Sequence, residues 1–217
     1  MRRFSIALAG LALILCTAAA YADDIVAVTP WPGVTMGVPA GWKACDEATD
    51  KLLGSADDPL AIKNVLCPLV AANAEIKFGV LNPKVGFTAS VLFLFLEQSP
   101  LTPEALDALD DKMLGAVRDE VQKDWEARIT KAGGKLDSIA VRRDKISGFS
   151  ALVSTIVQTP ASGAMGQSVT ETWEIPAGGH LYQFNLTWSK LLESNAKPAI
   201  DAMKPTIKIE PPPPAAK

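Results

Sequence analysis

The feature that most constrains this sequence is a segment, residues 87–97, in which both alternating sets of side chains become apolar. One set is aromatic or branched and the other is leucine: Val91, Phe93 and Phe95 against Leu92, Leu94 and Leu96. Successive side chains of a strand point to opposite faces, so a strand with this composition must be covered on both faces. The segment therefore predicts a central strand in a sheet that has layers above and below it.

Turn residues separate this strand from the one before it. Residues 75–81 form a second β-rich run, and residues 82–86 read Asn-Pro-Lys-Val-Gly. Asn, Pro and Gly are typical of tight reversals between strands. Residues 75–97 are therefore predicted to form a hairpin.

One long helix is predicted within residues 99–134. Thr102 suits the N-cap and Pro103 the first helical position, where its missing N–H costs nothing. Gly133 and Gly134 are typical of a helix end. Apolar residues recur at helical spacing: Leu106, Leu109, Met113, Val117, Val121, Trp125 and Ile129. This stripe predicts a helix that packs its apolar face against the sheet.

Four strand segments follow the helix, at residues 136–143, 149–158, 168–175 and 181–188. The last two alternate between apolar and polar side chains, which is typical of an antiparallel sheet with one packed face. Shorter elements complete the prediction: strands at 35–38 and near 65–70, a helix at 194–203 and an extended segment at 206–210. We therefore predict a single α+β domain over residues 23–210, with an antiparallel sheet between helical layers, and a disordered Pro/Ala tail over residues 211–217.

The N-terminus has the layout of a secretory signal peptide. Arg2 and Arg3 precede an apolar run over residues 4–15, and Ala20 and Ala22 occupy the small-residue positions of a cleavage site. An uncleaved anchor is the alternative, but the run is shorter than the roughly 20 residues of a spanning helix. Cys16 follows leucine and isoleucine rather than a small residue, which argues against a lipoprotein. We expect cleavage of residues 1–22 between Ala22 and Asp23, and a periplasmic location.

The charge of the predicted mature chain excludes one class of partner. Cleavage removes two of the 21 basic residues and none of the 24 acidic ones, so the formal net charge changes from −3 to −5. Binding to nucleic acid needs clustered Lys and Arg, so we expect no nucleic-acid partner. No later apolar run is long enough to cross a membrane.

Two cysteines, Cys45 and Cys67, remain after cleavage. An exported protein meets an oxidising compartment, so a disulfide between them is predicted. Two separate buried thiols are the alternative. A metal site is a weaker interpretation, because two cysteines and the single histidine, His180, make an incomplete ligand set.

Catalytic motifs give no match. Residues 148–152 break the G-x-S-x-G pattern at its last position, and H-E-x-x-H needs two histidines where the chain has one. His180 follows Gly178 and Gly179, so it is interpreted as a solvent-facing turn residue. We predict no catalytic, cofactor-binding or metal-binding residue and no cofactor.

Carboxylates and tryptophans leave two further possibilities open. The acidic residues of the predicted helix are interpreted as its solvated face: Asp107, Asp110, Asp111, Glu120 and Asp124. Asp46-Glu47 and Asp57-Asp58 lack an EF-hand pattern, so a solvated loop is favoured over a Ca²⁺ site. Trp125, Trp173 and Trp188 are predicted in the core, whereas Trp31 lies between Pro30 and Pro32 and is a candidate for stacking on a ligand.

The order of elements and several local motifs resemble the PsbP-like superfamily, which includes bacterial periplasmic DcrB-like proteins. The motifs are the Val-Pro-Ala-Gly-Trp segment at 38–42, the Thr-Pro-Glu helix start at 102–104, the Gly turn at 146–151 and the hairpin bearing Trp173, Tyr182 and Phe184. The resemblance covers residues 35–210 and departs around residues 46–84. It implies an antiparallel sheet between helical layers and an accessory or binding role without a shared catalytic centre.

These observations favour an exported, non-catalytic accessory or binding protein with an unknown protein or small-molecule partner in the cell envelope. A periplasmic hydrolase with a carboxylate-based site is the alternative, because the separation of carboxylates in space decides that chemistry.

Overall fold

A computed structural model describes residues 24–53, 66–84, 86–162 and 166–210. The predicted signal peptide, its cleavage site at Ala22 and Asp23, and the predicted tail over residues 211–217 lie outside these ranges. Asp57 and Asp58, considered above as a loop site, lie outside them as well.

The larger sheet has seven strands, all antiparallel, in the order β3-β4-β5-β9-β8-β7-β6. Its strands are β3 (Lys43–Ala44), β4 (Ile76–Asn82), β5 (Gly86–Leu96), β6 (Lys135–Ile146), β7 (Phe149–Thr159), β8 (Ser168–Ala177) and β9 (His180–Ser189). The predicted hairpin is confirmed as β4–β5, and β5 lies inside the sheet between β4 and β9. The four strands predicted after the helix are confirmed as β6 to β9.

A second sheet of three strands and one helix cover the inner face. The sheet comprises β1 (Ile25–Trp31), β2 (Val34–Pro39) and β10 (Lys208–Ile209), and the helix is α5 (Glu193–Met203). Core residues come from all three parts, among them Met36, Phe93, Phe184 and Ile200. The strand at 35–38 and the helix at 194–203 are thus confirmed. The extended segment predicted at 206–210 is confirmed except at its first residue, because Thr206 ends a short 3₁₀ turn, Lys204–Thr206, before β10.

Gly33 ties the end of the fold to its beginning. Its φ is +78°, in the left-handed region, and a Cβ placed on it would lie 2.4 Å from the Glu210 carbonyl oxygen. The Glu210 N–H donates to the Gly33 carbonyl oxygen at 2.7 Å. Only glycine allows both this turn and the close approach of the two backbones.

The long predicted helix is wrong in one respect, because the structure has two helices there. They are α3 (Pro103–Asp107) and α4 (Asp111–Lys131). Thr102 caps α3 as predicted, and Asp110 caps α4, its Oδ1 accepting from the Met113 N–H at 2.8 Å. The extended backbone of Asp110 interrupts the helix, since an N-cap residue is non-helical.

The apolar stripe is only partly buried. Leu106 and Ile129 are buried, whereas Met113 is 50% exposed and Val121 and Trp125 are half-buried. α4 contacts mainly β6, at the edge of the sheet. Much of the sheet's outer face is therefore not covered by α4, and a cleft lies between the two.

The strand predicted near residues 65–70 is wrong, because a helix, α2 (Cys67–Ala72), begins there. Pro68 lies in its first turn, where proline is tolerated. Leu66 and Val70 pack over Gly79 of β4, and a Cβ on that glycine would lie 2.9 Å from Leu66 Cδ1. The apolar run therefore reflects a helix lying on the sheet. The other helix of this region, α1 (Glu47–Leu53), precedes it.

The structure does not show the predicted disulfide, and Cys45 and Cys67 are both thiols. Both are half-buried and pack against the same small cluster of Leu66 and Leu81. The fold thus brings the two cysteines to one cluster without bonding them, so the oxidised pair stays a prediction.

Candidate functional site

The candidate site is the cleft between α4 and the outer face of the larger sheet. Its volume is about 710 Å³. Five polar side chains from the three neighbouring strands β7, β8 and β9 form its floor: Ser154, Thr172, Glu174, Gln183 and Asn185. Three other clefts lined by described residues are smaller, at about 300, 310 and 510 Å³.

Strand register explains why these side chains share one face. Trp173 pairs with Phe184, and both point into the core. Their neighbours along the strands therefore point outward, where Thr172 pairs with Asn185 and Glu174 with Gln183. Ser154 pairs with Thr172 from the adjacent strand. The alternation that fills the core thus also places the polar floor.

Two hydrogen bonds fix the Asn185 amide on this floor. Thr172 Oγ1 donates to Asn185 Oδ1 at 2.9 Å, and Gln183 Nε2 donates to the same oxygen at 3.0 Å. Because Oδ1 accepts both bonds, the amide orientation is set and Nδ2 remains as a donor. The floor is therefore rigid in its centre and still offers donors and acceptors.

Glu174 and Ser154 are the floor residues with unmet bonding capacity. Among the described residues, neither side chain makes a hydrogen bond or an ion pair, although Ser154 is only 5% exposed. Burial raises the pKa of the Glu174 carboxyl, because removal from water disfavours its charged form. A partly buried polar group without a partner gains most from a hydrogen bond to a ligand atom.

Side chains of α4 form one wall of the cleft. Glu120, Asp124, Trp125 and Arg128 line it, and Asp124 pairs with Arg128 at 2.7 Å. Glu75, in the turn before β4, lines the opposite rim. With Glu174, the lining therefore carries four carboxyl groups and one guanidinium, so its formal charge is net negative.

The sequence interpretation placed Glu120 and Asp124 on a solvated helix face, and the structure places both on the cleft wall. The other helix carboxylates lie elsewhere. Asp107 accepts from Ser150 Oγ at 2.5 Å, Asp110 is the N-cap of α4, and Asp111 lies in its first turn. The alternation of these strands predicts a polar face but does not indicate that α4 forms a wall beside it, so the floor residues are not predicted from the sequence as a site.

His180 does not occupy a solvent-facing turn tip as predicted. Gly178 and Gly179, both with positive φ, make the turn, and His180 is the half-buried first residue of β9. Its Nδ1 lies 2.8 Å from the Glu97 carbonyl oxygen, and its ring centroid lies 5.1 Å from that of Phe95. The contact is with a main-chain carbonyl and not with a carboxylate, so the structure assembles no triad around it.

The tryptophans divide between core and surface clefts. Trp173 and Trp188 are buried as predicted, whereas the prediction is wrong for Trp125, which is half-buried on the cleft wall. Trp31 stacks on Phe95 with ring centroids 5.4 Å apart, and Lys77 Nζ lies 5.0 Å from its ring centroid. Trp31 thus already has an intramolecular stacking partner.

Neither a metal centre nor a membrane-spanning helix is formed by the described residues. No group of three or more His, Cys, Asp or Glu side chains there is arranged to hold a metal ion. In the same part of the chain, none of the helices has the length and apolar character needed to span a bilayer.

The comparisons with known proteins give similarity at the level of solved structures. No protein-family model matches the sequence, and no curated protein sequence matches it significantly. The solution structure of cyanobacterial PsbP (CyanoP) from Synechocystis superposes with a TM-score of 0.50 at 11% identity. That match covers 91% of this chain and 99% of CyanoP.

Two crystal structures have lower scores. LpqN of Mycobacterium tuberculosis, described as involved in cell envelope biogenesis, gives a TM-score of 0.47 at 14% identity, over 86% of this chain and 91% of LpqN. A protein from Bacteroides thetaiotaomicron gives 0.45 at 12% identity, over 84% of this chain and 47% of its own length.

Proposed function

We propose that this chain, which has the PsbP-like fold, is an exported, non-catalytic accessory protein that binds its ligand or partner in the cleft between α4 and the outer sheet face. Export rests on the predicted signal peptide over residues 1–22.

The polar floor carries the proposal of a binding role. Its central amide is held by Thr172 and Gln183, while Glu174 and Ser154 present groups without partners among the described residues. Preorganised polar groups at the base of a cleft are typical of ligand sites. No histidine among the described residues lines this cleft to act as a base beside Ser154, so the arrangement favours binding over nucleophilic catalysis.

Affinity capture with paired variants tests the proposal. The mature protein, from Asp23, is immobilised and exposed to a periplasmic extract, alongside the charge reversals Glu120→Lys and Asp119→Lys. Glu120 lines the cleft, whereas its neighbour Asp119 pairs with Arg118 outside it. Both changes are on the same helix and alter the charge equally; Asp119→Lys also removes the ion pair with Arg118, which lies outside this cleft.

We expect a molecule that is retained by the wild type and by Asp119→Lys but not by Glu120→Lys. Equal retention by all three proteins would place binding outside the cleft. The extract is prepared from cells that express the protein. If the wild type retains no molecule from it, the binding role itself would be contradicted.

A carboxylate-based hydrolase is the second candidate, and one observation favours it. Glu174 has a raised pKa and shares the cleft with Glu75, Glu120 and Asp124, and a general acid needs such a carboxyl near others. Turnover of nitrophenyl glycosides by the wild type, lost in Glu174→Gln, would support this function. The accessory role predicts no turnover above that of the variant.

A further inference from the structure

The cleft combines a negative lining, an unpartnered carboxylate and an apolar wall. We propose that it binds a small organic amine, with the ammonium group on Glu174 and the hydrocarbon part against Trp125. This inference rests on the proposed binding function and names the chemistry of its ligand.

The charged side chains that line the cleft favour a cationic ligand. Glu75, Glu120, Asp124 and Glu174 face the cleft, and Arg128 is the one basic side chain among the described residues of its lining. Arg128 is already paired with Asp124. An anionic ligand would therefore meet net repulsion, whereas a cation offsets the charge of the remaining carboxylates.

Hydrogen bonding selects an ammonium group. A primary ammonium donates three hydrogen bonds and accepts none. Glu174 offers a carboxylate without a donor among the described residues, and Ser154, which is nearly buried, offers a hydroxyl oxygen in the same cleft. Register places the two on adjacent strands, because Glu174 lies two residues beyond the partner of Ser154. Both acceptors thus face the same cleft from adjacent strands.

The apolar side chains of the cleft wall favour a ligand with a hydrocarbon part. Trp125 and Val121 of α4 and Leu94 of β5 line the cleft beside the polar floor. Trp125 is half-buried, so one part of its indole is open to a ligand. An aromatic face attracts both hydrocarbon and a neighbouring cation. A fully hydrated polyol would use the floor and leave this wall uncovered.

Three probes of similar size separate the contributions. Phenethylamine, 2-phenylethanol and 3-phenylpropionate carry a similar aromatic body and are cationic, neutral and anionic near pH 7. Each is titrated into the ¹⁵N-labelled mature protein, and the Kd is read from amide shifts of the floor strands β8 and β9. Glu174→Gln removes the charge at constant shape, and Asp119→Asn makes the same charge change outside the cleft.

We expect the amine to bind at least tenfold more tightly than the alcohol, and the carboxylate to bind most weakly. Glu174→Gln should remove the preference for the amine, and Asp119→Asn should retain it. Equal binding of amine and alcohol, or unchanged amine binding by Glu174→Gln, would overturn the amine assignment and leave a cleft that binds by shape. Shifts that map away from β8 and β9, or no binding of the amine, would also overturn it. Affinity capture with Glu120→Lys and Asp119→Lys tests whether the cleft binds any ligand, so it can succeed even if the amine assignment is wrong.

Discussion

Glu174 is a partly buried carboxyl whose ionisation opposes folding. Its carboxylate lies on the cleft floor with no donor among the described residues, and burial raises its pKa. A residue held in this state contributes stability only while it is protonated. Retention of such a residue in a fold is typical of functional sites, where bonding capacity is kept for a ligand.

We expect Glu174→Gln to change the pH dependence of stability. The folded-state pKa is raised, so the contribution of Glu174 is present below its unfolded pKa and is lost as pH rises through the folded value. Glutamine cannot ionise, so this loss should disappear. Urea melts at pH 3 should give similar free energies of unfolding for both proteins, and melts at pH 7 should favour the variant. A less stable variant at pH 7 would show that the carboxylate has a partner in the native state.

His180 and Trp173 provide a contrast between a peripheral and a core residue. His180 is half-buried and contacts the Glu97 carbonyl oxygen and the Phe95 ring, whereas Trp173 is 5% exposed in the main core. We expect His180→Ala to cost about 1 kcal/mol or less, and Trp173→Ala about 3–5 kcal/mol through the cavity it leaves. Denaturant melts measure both. A function that is lost in a normally folded His180→Ala would place His180 in a site.

At the scale of elements, the sequence was most informative where alternation and caps were clear. β4 to β9 and the cap at Thr102 were predicted because period-two patterning and N-cap chemistry are local. The helix α2 was missed, since it depends on packing against the sheet. The break at Asp110 was missed although its N-cap chemistry is local, because the apolar spacing continues across it. The floor of the cleft was missed for a similar reason: α4 forms a wall beside strand residues that locally look solvent-exposed.

Three glycine-to-alanine variants separate backbone strain from steric contact. Gly33 has φ +78°, and a methyl group there would overlap the Glu210 carbonyl oxygen; Gly41 has φ +85° with no neighbour within 4 Å, and Gly115 lies in α4 with none. We expect Gly41→Ala to cost about 1 kcal/mol and Gly33→Ala more, about 2–3 kcal/mol. Gly115→Ala should stabilise α4 by about 0.8 kcal/mol. Thermal melts rank the three, and equal costs at Gly33 and Gly41 would contradict the contact with Glu210.

The positions of Cys45 and Cys67 in the fold allow the predicted disulfide to be tested. The Cys45 N–H donates to the Gly79 carbonyl oxygen at 3.2 Å, and α2 packs on the same strand. We expect oxidised mature protein to contain the Cys45–Cys67 bond, which closes a loop of about 22 residues and stabilises by about 3 kcal/mol. Peptide mapping without reductant identifies the linked pair. Alkylation of both thiols by iodoacetamide in native, air-oxidised protein would count against it.

At the scale of the whole molecule, an ion network around the buried Glu171 joins the C-terminal segment to the larger sheet. Glu171 of β8 is 7% exposed, and its Oε1 accepts from Trp173 Nε1 and Lys204 Nζ, each at 2.7 Å. Arg142 of β6 approaches Oε2 at 3.5 Å. Lys204 follows α5 directly, so this contact holds the covering helix to the sheet. Hydropathy does not predict this ion network, because a charged residue on a strand is ordinarily assigned to the solvent face.

We expect Lys204→Met to cost about 3 kcal/mol, because it leaves the nearly buried Glu171 carboxylate without its closest cation. Lys197→Met is the matched control, since Lys197 pairs with Asp201 on the surface of α5 and is 42% exposed in its side chain. That control should cost less than about 1 kcal/mol, as exposed pairs usually do. Denaturant melts compare the two at equal charge change. Equal losses would mean that Arg142 and the indole N–H suffice for Glu171, and that α5 is held to the sheet by apolar packing alone.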